Sequence, residues 1–354
     1  MSGWDMGNYR VGIAGCGRMA GTIDDEVVGY DAVILPYCHA AAYRALGSTH
    51  IVAAADINPE KTAAFSQRWK VPSTYSDYRQ MIEKENLDIL SVTTPATLHH
   101  EIVTFAANNG VRAIYCEKAM CCSLSEADDM VEACKRNDVK LNVGTLRRFH
   151  PGYHAMRELV MNGSIGEPKA AIAYSLGILM HTHSHTADTI RFLLGDPRAN
   201  YVQGALSDPE YDKERNAFRK DPLVAMGHVS FLGDVHGFFS PSIGMYEFEV
   251  DCTKGAVRVL DNGTDWELRV LKKGAEKWLL HERSGFPTFD RVSPTVRCIT
   301  DLVTALETGS ETQANPEVAR EGMELSVGIA LSHLKEGARV HLPLEDRALY
   351  IPSH

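Results

Sequence analysis

Three histidines and an aspartate crowd one short stretch, "HTHSHTAD", with His181, His183 and His185 at alternate positions and Asp188 three residues after the last. Imidazole titrates near neutrality, so such a cluster suits general-base work or metal ligation. The spacing allows two arrangements. If the stretch is helical throughout, His181, His185 and Asp188 share one face, while His183 turns away with Ala187, Ile190 and Leu194. If Ser184 caps a helix instead, residues 181–183 are extended and His181 and His183 project to the same side. Three imidazoles from one short segment converge on a metal less readily than ligands drawn from separate elements, so no metal is expected.

A second chemical signal lies near the N-terminus. "VGIAGCGRMA" supplies Gly15, Gly17 and Ala20 as G-x-G-x-x-A between an apolar strand and a helix. The chain must turn tightly at Gly15, admit a pyrophosphate against the backbone at Gly17, and pack helix on strand at Ala20. Asp56 closes the next strand, where a carboxylate can accept bonds from both ribose hydroxyls and would repel a 2′-phosphate. The cofactor expected is therefore NAD. The gap from Gly17 to Asp56 exceeds the usual ~20 residues, and "TIDDEVVGYDAVILPYC", residues 22–38, reads as an insertion: either a surface loop or a segment reaching an active site or subunit interface. A third signal is "YCEKAMC", which puts Glu117 and Lys118 just after a buried strand, on the sheet edge where open α/β folds bind ligands.

Other elements must hold these groups in place. Residues 1–146 alternate strand-like runs ("YRVGIA", "HIVAAAD", "LDILSVTT", "VRAIYCE", "VKLNV") with helix-like stretches, the pattern of a doubly wound parallel sheet covered on both faces. Residues 147–354 change texture. A helix ending at Asn162-Gly163 is followed by closely spaced alternating strands, then by two helical stretches, which predicts an α/β domain around a large, mostly antiparallel sheet. At 354 residues, two domains are expected. A net charge of −10 with no basic block argues against nucleic acid or an anionic membrane as partner. No leader-like h-region and no run near the ~18 apolar residues of a membrane span are present, so a cytoplasmic location is expected. The eight cysteines include no C-x-x-C pair and read as reduced, mostly buried thiols.

Taken in order, the loop at Gly15, Asp56, "TPATLHHE" with Thr94, Pro95 and His99, the Glu117-Lys118 pair, "RRFHP" at 147–151, His185-x-x-Asp188 and "GARVHLPL" resemble the Gfo/Idh/MocA oxidoreductases, relatives of glucose-fructose oxidoreductase and inositol dehydrogenase. The resemblance implies a Rossmann domain, a second domain whose open sheet forms homodimers or homotetramers, and a substrate cleft between the two. It further implies NAD(H)-dependent oxidation of a ring hydroxyl on a sugar, glycoside or cyclitol. Lys118, His185 and Asp188 then form the catalytic set. Gly15, Gly17, Arg18, Met19, Asp56, Thr94, Pro95, His99 and Glu117 are expected at the cofactor, and Arg148, His150, Tyr153 and His181 join Lys118 and His185 at the substrate. Two departures stand out: Ala119 replaces the proline of Glu-Lys-Pro, and His181 replaces the first aspartate of D-x-G-x-H-x-x-D. A lyase or glycosidase that uses NAD transiently, and a non-catalytic NAD sensor, are the alternative readings.

Overall fold

The computed structural model describes residues 8–353. Six short strands, most of them largely buried and the edge strand β3 half-exposed, form the first sheet: β1 Tyr9–Ala14, β2 Thr49–Ala55, β3 Ser73–Tyr75, β4 Ile89–Val92, β5 Ala113–Cys116 and β6 Lys140–Val143. Their spatial order is β3-β2-β1-β4-β5-β6 and every pairing is parallel. Strands buried on both faces carry no polar alternation, which is why these runs read as continuous apolar segments. The order reverses between β1 and β4, and ligands in such sheets sit beyond the strand C-termini at that point.

The second sheet has nine strands, running in space from His281–Ser284 through Asp265–Leu271, Gly255–Leu260, Glu247–Cys252, Pro168–Tyr174, Val235–Ser240, Leu223–Phe231 and Ala199–Ser207 to Val340–His341. All neighbours are antiparallel except Pro168–Tyr174 with Val235–Ser240. One face is covered by the helix Pro316–Leu334, whose Ile329 lies where side chains at Gly204 and Gly227 would collide with it. The same helix packs against His183–Leu193 and, toward the first sheet, against Leu124–Arg136. A single apolar core therefore runs from Val92 and Ile114 through Met130 to Ile329 and Phe231.

The chain also returns to the first sheet near its end. The helix Pro294–Thr308 buries Cys298, Ile299 and Leu302 with Val11, Ile13 and Tyr115. Ala314 N–H then donates to Asn142 Oδ1 (2.9 Å), and Val143 N–H donates to Ala314 O (3.0 Å). Residues 294–314 thus pack on the unit expected to end at 146. All eight cysteines are free, and all but Cys252 are buried. Among the described residues, no helix is long and apolar enough to cross a membrane.

Candidate functional site

At the end of β1 the chain turns through Gly15, whose φ of +93° favours glycine and whose missing Cβ would lie 2.8 Å from the Thr93 carbonyl carbon. Thr93 Oγ1 donates to Gly15 O (2.6 Å), clamping the loop to the end of β4. Gly17 caps the one-turn helix Arg18–Gly21, and no atom lies within 4 Å of where its Cβ would be. Asp56 holds the loop from β2, accepting from Cys16 N–H and from Asn58 N–H at 2.8 Å each. Opposite, the Thr94 hydroxyl is buried without a protein partner, and Pro95 is exposed at the start of the turn Ala96–Leu98. An open glycine, an orphaned hydroxyl and a strand-end carboxylate fit a dinucleotide laid across this edge. Arg18 is exposed and paired with Glu26, and Met19 beside it is half-buried.

Two of the expected cofactor contacts instead hold the frame. His99 is fully buried, with Nδ1 2.8 Å from Ala119 O and Nε2 2.8 Å from Thr94 O, so its ring ties the loop after β4 to the loop after β5. Glu117 is buried behind Lys118, 2.9 Å from His39 Nε2. Burial would raise this carboxyl, but the His39 hydrogen bond and the nearby Lys118 ammonium outweigh it and hold the group below its usual range. His39 also bonds Ser91 through Nδ1 and stacks on Tyr115, ring centroids 3.9 Å apart.

Lys118 emerges from this base into the cleft. Its Nζ lies 3.3 Å from His181 Nδ1 and 3.5 Å from His181 O. Burial lowers the ammonium, Glu117 opposes that, and Arg147 reinforces it, with a net shift downward. Asp221 accepts from the backbone N–H groups of Met180 and His181 (2.8 Å each), and burial pushes its carboxyl up to about 6.

The histidines follow the helical arrangement. The helix runs His183–Leu193, preceded by turns in which the N–H groups of Thr182 and His183 reach Ile178 O. His183 is thereby buried, bonding Thr186 Oγ1 (2.8 Å) and meeting Phe239 edge-on, so the three imidazoles do not converge. His181 and His185 remain at the cleft. His185 lies edge-on to Tyr246 (5.3 Å), and its buried Nδ1 has no protein partner. Burial, then Lys118, Arg147 and His181, hold this imidazole well below its ordinary range, so it is neutral and able to accept a proton.

Asp188 and Arg148 depart from expectation together. Arg148 is 2% exposed and donates through Nε and Nη2 to Asp188 Oδ1 (3.0 and 2.8 Å) and through both Nη atoms to Asp196. Arg148 is turned into the core by this pairing, while Asp188, spent on Arg148, also borders a small cavity with Lys118. Their pair fastens the turn Leu146–Phe149 to the helix carrying His185. His150 has a structural part, its Nδ1 capping the helix Pro151–Met161 at Gly152 N–H (3.0 Å) and its ring stacking on Trp266, and it also lines the cavity beside His185. Tyr153 is buried beside the cleft.

The arginine that does face the cleft is Arg147, which the sequence reading passed over. Its guanidinium sits 3.9 Å over the Tyr246 ring and bonds Asn262 Oδ1. Asn262 in turn donates to the hydroxyl of Tyr30 (3.1 Å), so the insertion at 22–38 reaches the site. Ala32, Val33 and Tyr37 line one cavity with Arg147, Tyr153 and His185. The insertion is also fixed from the C-terminal side: Arg291 donates to Asp31 O (2.8 Å) and Thr295 Oγ1 to Tyr37 O (2.9 Å). Tyr37, Tyr246 and Asn262 come from three distant segments, and no local spacing announces them.

Comparison with known proteins agrees with this fold. The GFO_IDH_MocA model, an oxidoreductase family with an NAD-binding Rossmann fold, matches residues 9–145. Myo-inositol 2-dehydrogenase of Thermotoga maritima is 27% identical over 201 residues, covering 53% of this chain and 55% of its own length. D-apiose dehydrogenase of Paraburkholderia graminis is 31% identical over 175 residues, covering 45% of this chain and 46% of its own. The chain thus spans about half the length of the curated relatives it matches. The solved structure of levoglucosan dehydrogenase with NADH and levoglucosan superposes with a TM-score of 0.76 at 20% identity over 95% of this chain and 100% of that one, a likeness of fold. Residues 9–145 of this chain thus match the Gfo/Idh/MocA family of oxidoreductases and fold as an NAD-binding Rossmann unit.

Proposed function

We propose that the protein is an NAD(H)-dependent dehydrogenase that oxidises a secondary ring hydroxyl of a carbohydrate or cyclitol. The observation that carries this reading is the contact of Lys118 with His181 just after β5, near enough to His185 for both charges to act on its imidazole, on the sheet edge that also carries Gly15 and Thr94. A bound nicotinamide supplies the hydride acceptor. His185 takes the hydroxyl proton, a role open to an imidazole that burial and neighbouring cations keep deprotonated. Lys118 donates to the same oxygen and stabilises its developing negative charge. Glu117 and His39 hold Lys118 from beneath, and the Asp188 to Arg148 pair holds the helix of His185. Myo-inositol 2-dehydrogenase and D-apiose dehydrogenase among the relatives support a polyhydroxylated substrate.

The test is NADH formation from a panel of aldoses, glycosides, anhydrosugars and inositols. Lys118→Ala and His185→Ala should each lose at least ~100-fold in turnover, the scale of a positioned proton-transfer group, with NADH affinity unchanged. Near-normal turnover in either removes its role. Bond cleavage without net NADH would instead indicate transient use of the cofactor.

A further inference from the structure

Arg147 is the cleft's unanswered charge. The contacts it makes are with neutral groups: the faces of Tyr246 and Phe248, the amide oxygen of Asn262 and the neighbouring Tyr153 hydroxyl. Its Nε is buried without a partner, and among the described residues no carboxylate lies within ion-pair distance of its guanidinium. By contrast, the adjacent Arg148 has two carboxylates. A sequestered guanidinium with unused donors in a fixed fork is suited to a planar, bidentate oxyanion.

The surroundings point the same way. Lys118 contacts His181, both act with Arg147 on His185, and the acidic groups nearby are engaged elsewhere: Glu117 with His39, and Asp221 with the backbone at 180 and 181. Tyr153 and His185, whose Nδ1 is unpartnered, line the same cavity as Arg147. A planar carboxylate presents its two oxygens to such a fork in one plane.

We infer that the substrate carries a carboxylate which Arg147 binds, making the protein a dehydrogenase of acidic sugars such as uronates or aldonates rather than of neutral sugars. The inference rests on the dehydrogenase reading of this cleft and narrows its substrate. An anion seated on Arg147 would also offset the positive field that depresses His185, so binding of the acid would strengthen the base that oxidises it.

The experiment is equilibrium binding to the full chain, with and without NADH, followed by intrinsic tryptophan fluorescence. The probes are D-glucuronate, D-galacturonate and D-gluconate against glucose, galactose, glucitol and glucose 6-phosphate. The acids should bind about 10- to 100-fold more tightly than their neutral counterparts, the span of a charge-assisted hydrogen-bonded pair. Arg147→Gln should erase that preference, and Arg147→Lys should keep part of it. Circular dichroism and NADH affinity report whether each variant is folded. Equal binding of acids and neutral sugars, no binding of any acid, or a preference that survives Arg147→Gln overturns the inference. Tighter binding of the phosphate ester overturns the carboxylate assignment. NADH formation from neutral sugars without an acid preference removes this inference alone, whereas failure to bind NADH removes the dehydrogenase reading while acid binding still judges this one.

Discussion

Two neighbouring arginines divide the labour of the site. Arg147 and Arg148 lie in a tight turn of four residues, where successive side chains diverge, so one enters the cleft while the other enters the core. Nothing in "RRFHP" chooses between them, and that choice depends on Asp188 and Asp196, about 40 residues further on. The same ambiguity hid Asp188: its place three residues after His185 is consistent with a substrate contact, but its carboxylate is spent on Arg148. Glycines were legible for the opposite reason. Gly15 answers to a backbone demand that residue type alone records. Asp188→Asn should therefore act through position rather than contact. It leaves Arg148 buried with only Asp196 to offset it, short of the ~3–5 kcal/mol that breaking a fully buried pair costs, so about 2 kcal/mol of stability should be lost. Urea denaturation reads that loss. Turnover should fall with it while NADH affinity holds, and an unchanged denaturation midpoint would return Asp188 to the substrate.

The insertion at 22–38 belongs to the scale of elements, because no single residue in it does chemistry. Its ends are held by Asp24, which accepts from the N–H groups of Tyr37 (3.1 Å) and Cys38, and its far side by Arg291, Ser293 and Thr295. It thus spans from the glycine loop to the segment after the second sheet and forms one wall of the cavity beside His185. Two readings of this segment were open in the sequence, and its reach could not be judged because its anchors lie some 260 residues later. The helix Pro294–Thr308 was illegible in the same way: an apolar face says that a helix is buried, not against which sheet. Replacing residues 28–33 by two glycines should release Tyr30 from Asn262 and open the wall. KM for the substrate should rise about 10-fold, the equivalent of one good hydrogen bond, with NADH affinity within twofold. An unchanged KM would make the segment a surface loop.

At the scale of the molecule, the nine-stranded sheet is covered on one face only. Helix Pro316–Leu334 closes the inner side, while the outer side between Ala199 and Ser240 presents Tyr201, Met226, His228, His236 and Phe238. His228 and Phe238 are cross-strand partners with rings 5.1 Å apart, and Tyr201 and His236 meet the same imidazole at 5.7 and 5.2 Å. Phe238 and Met226 are 39% and 46% exposed, a concentration of large apolar groups that a lone chain has little reason to carry. Further across, the same sheet changes to charge, with Glu249 between Arg258 and Arg269. Aromatic centre and charged flank are the makings of an isologous contact, in which each half supplies both surfaces. The alternation of the strands was legible in the sequence, but which face the helix would leave bare was not. A homodimer or homotetramer joined through this sheet is expected, and light scattering behind size exclusion should give a mass of two or four chains. Phe238→Asp places a charge in the middle of the contact and should shift that mass to a single chain at micromolar concentration, with the far-ultraviolet spectrum and NADH binding intact. A monomeric parent protein would rule out the assembly, and a Phe238→Asp variant that stays oligomeric would move the contact to another surface.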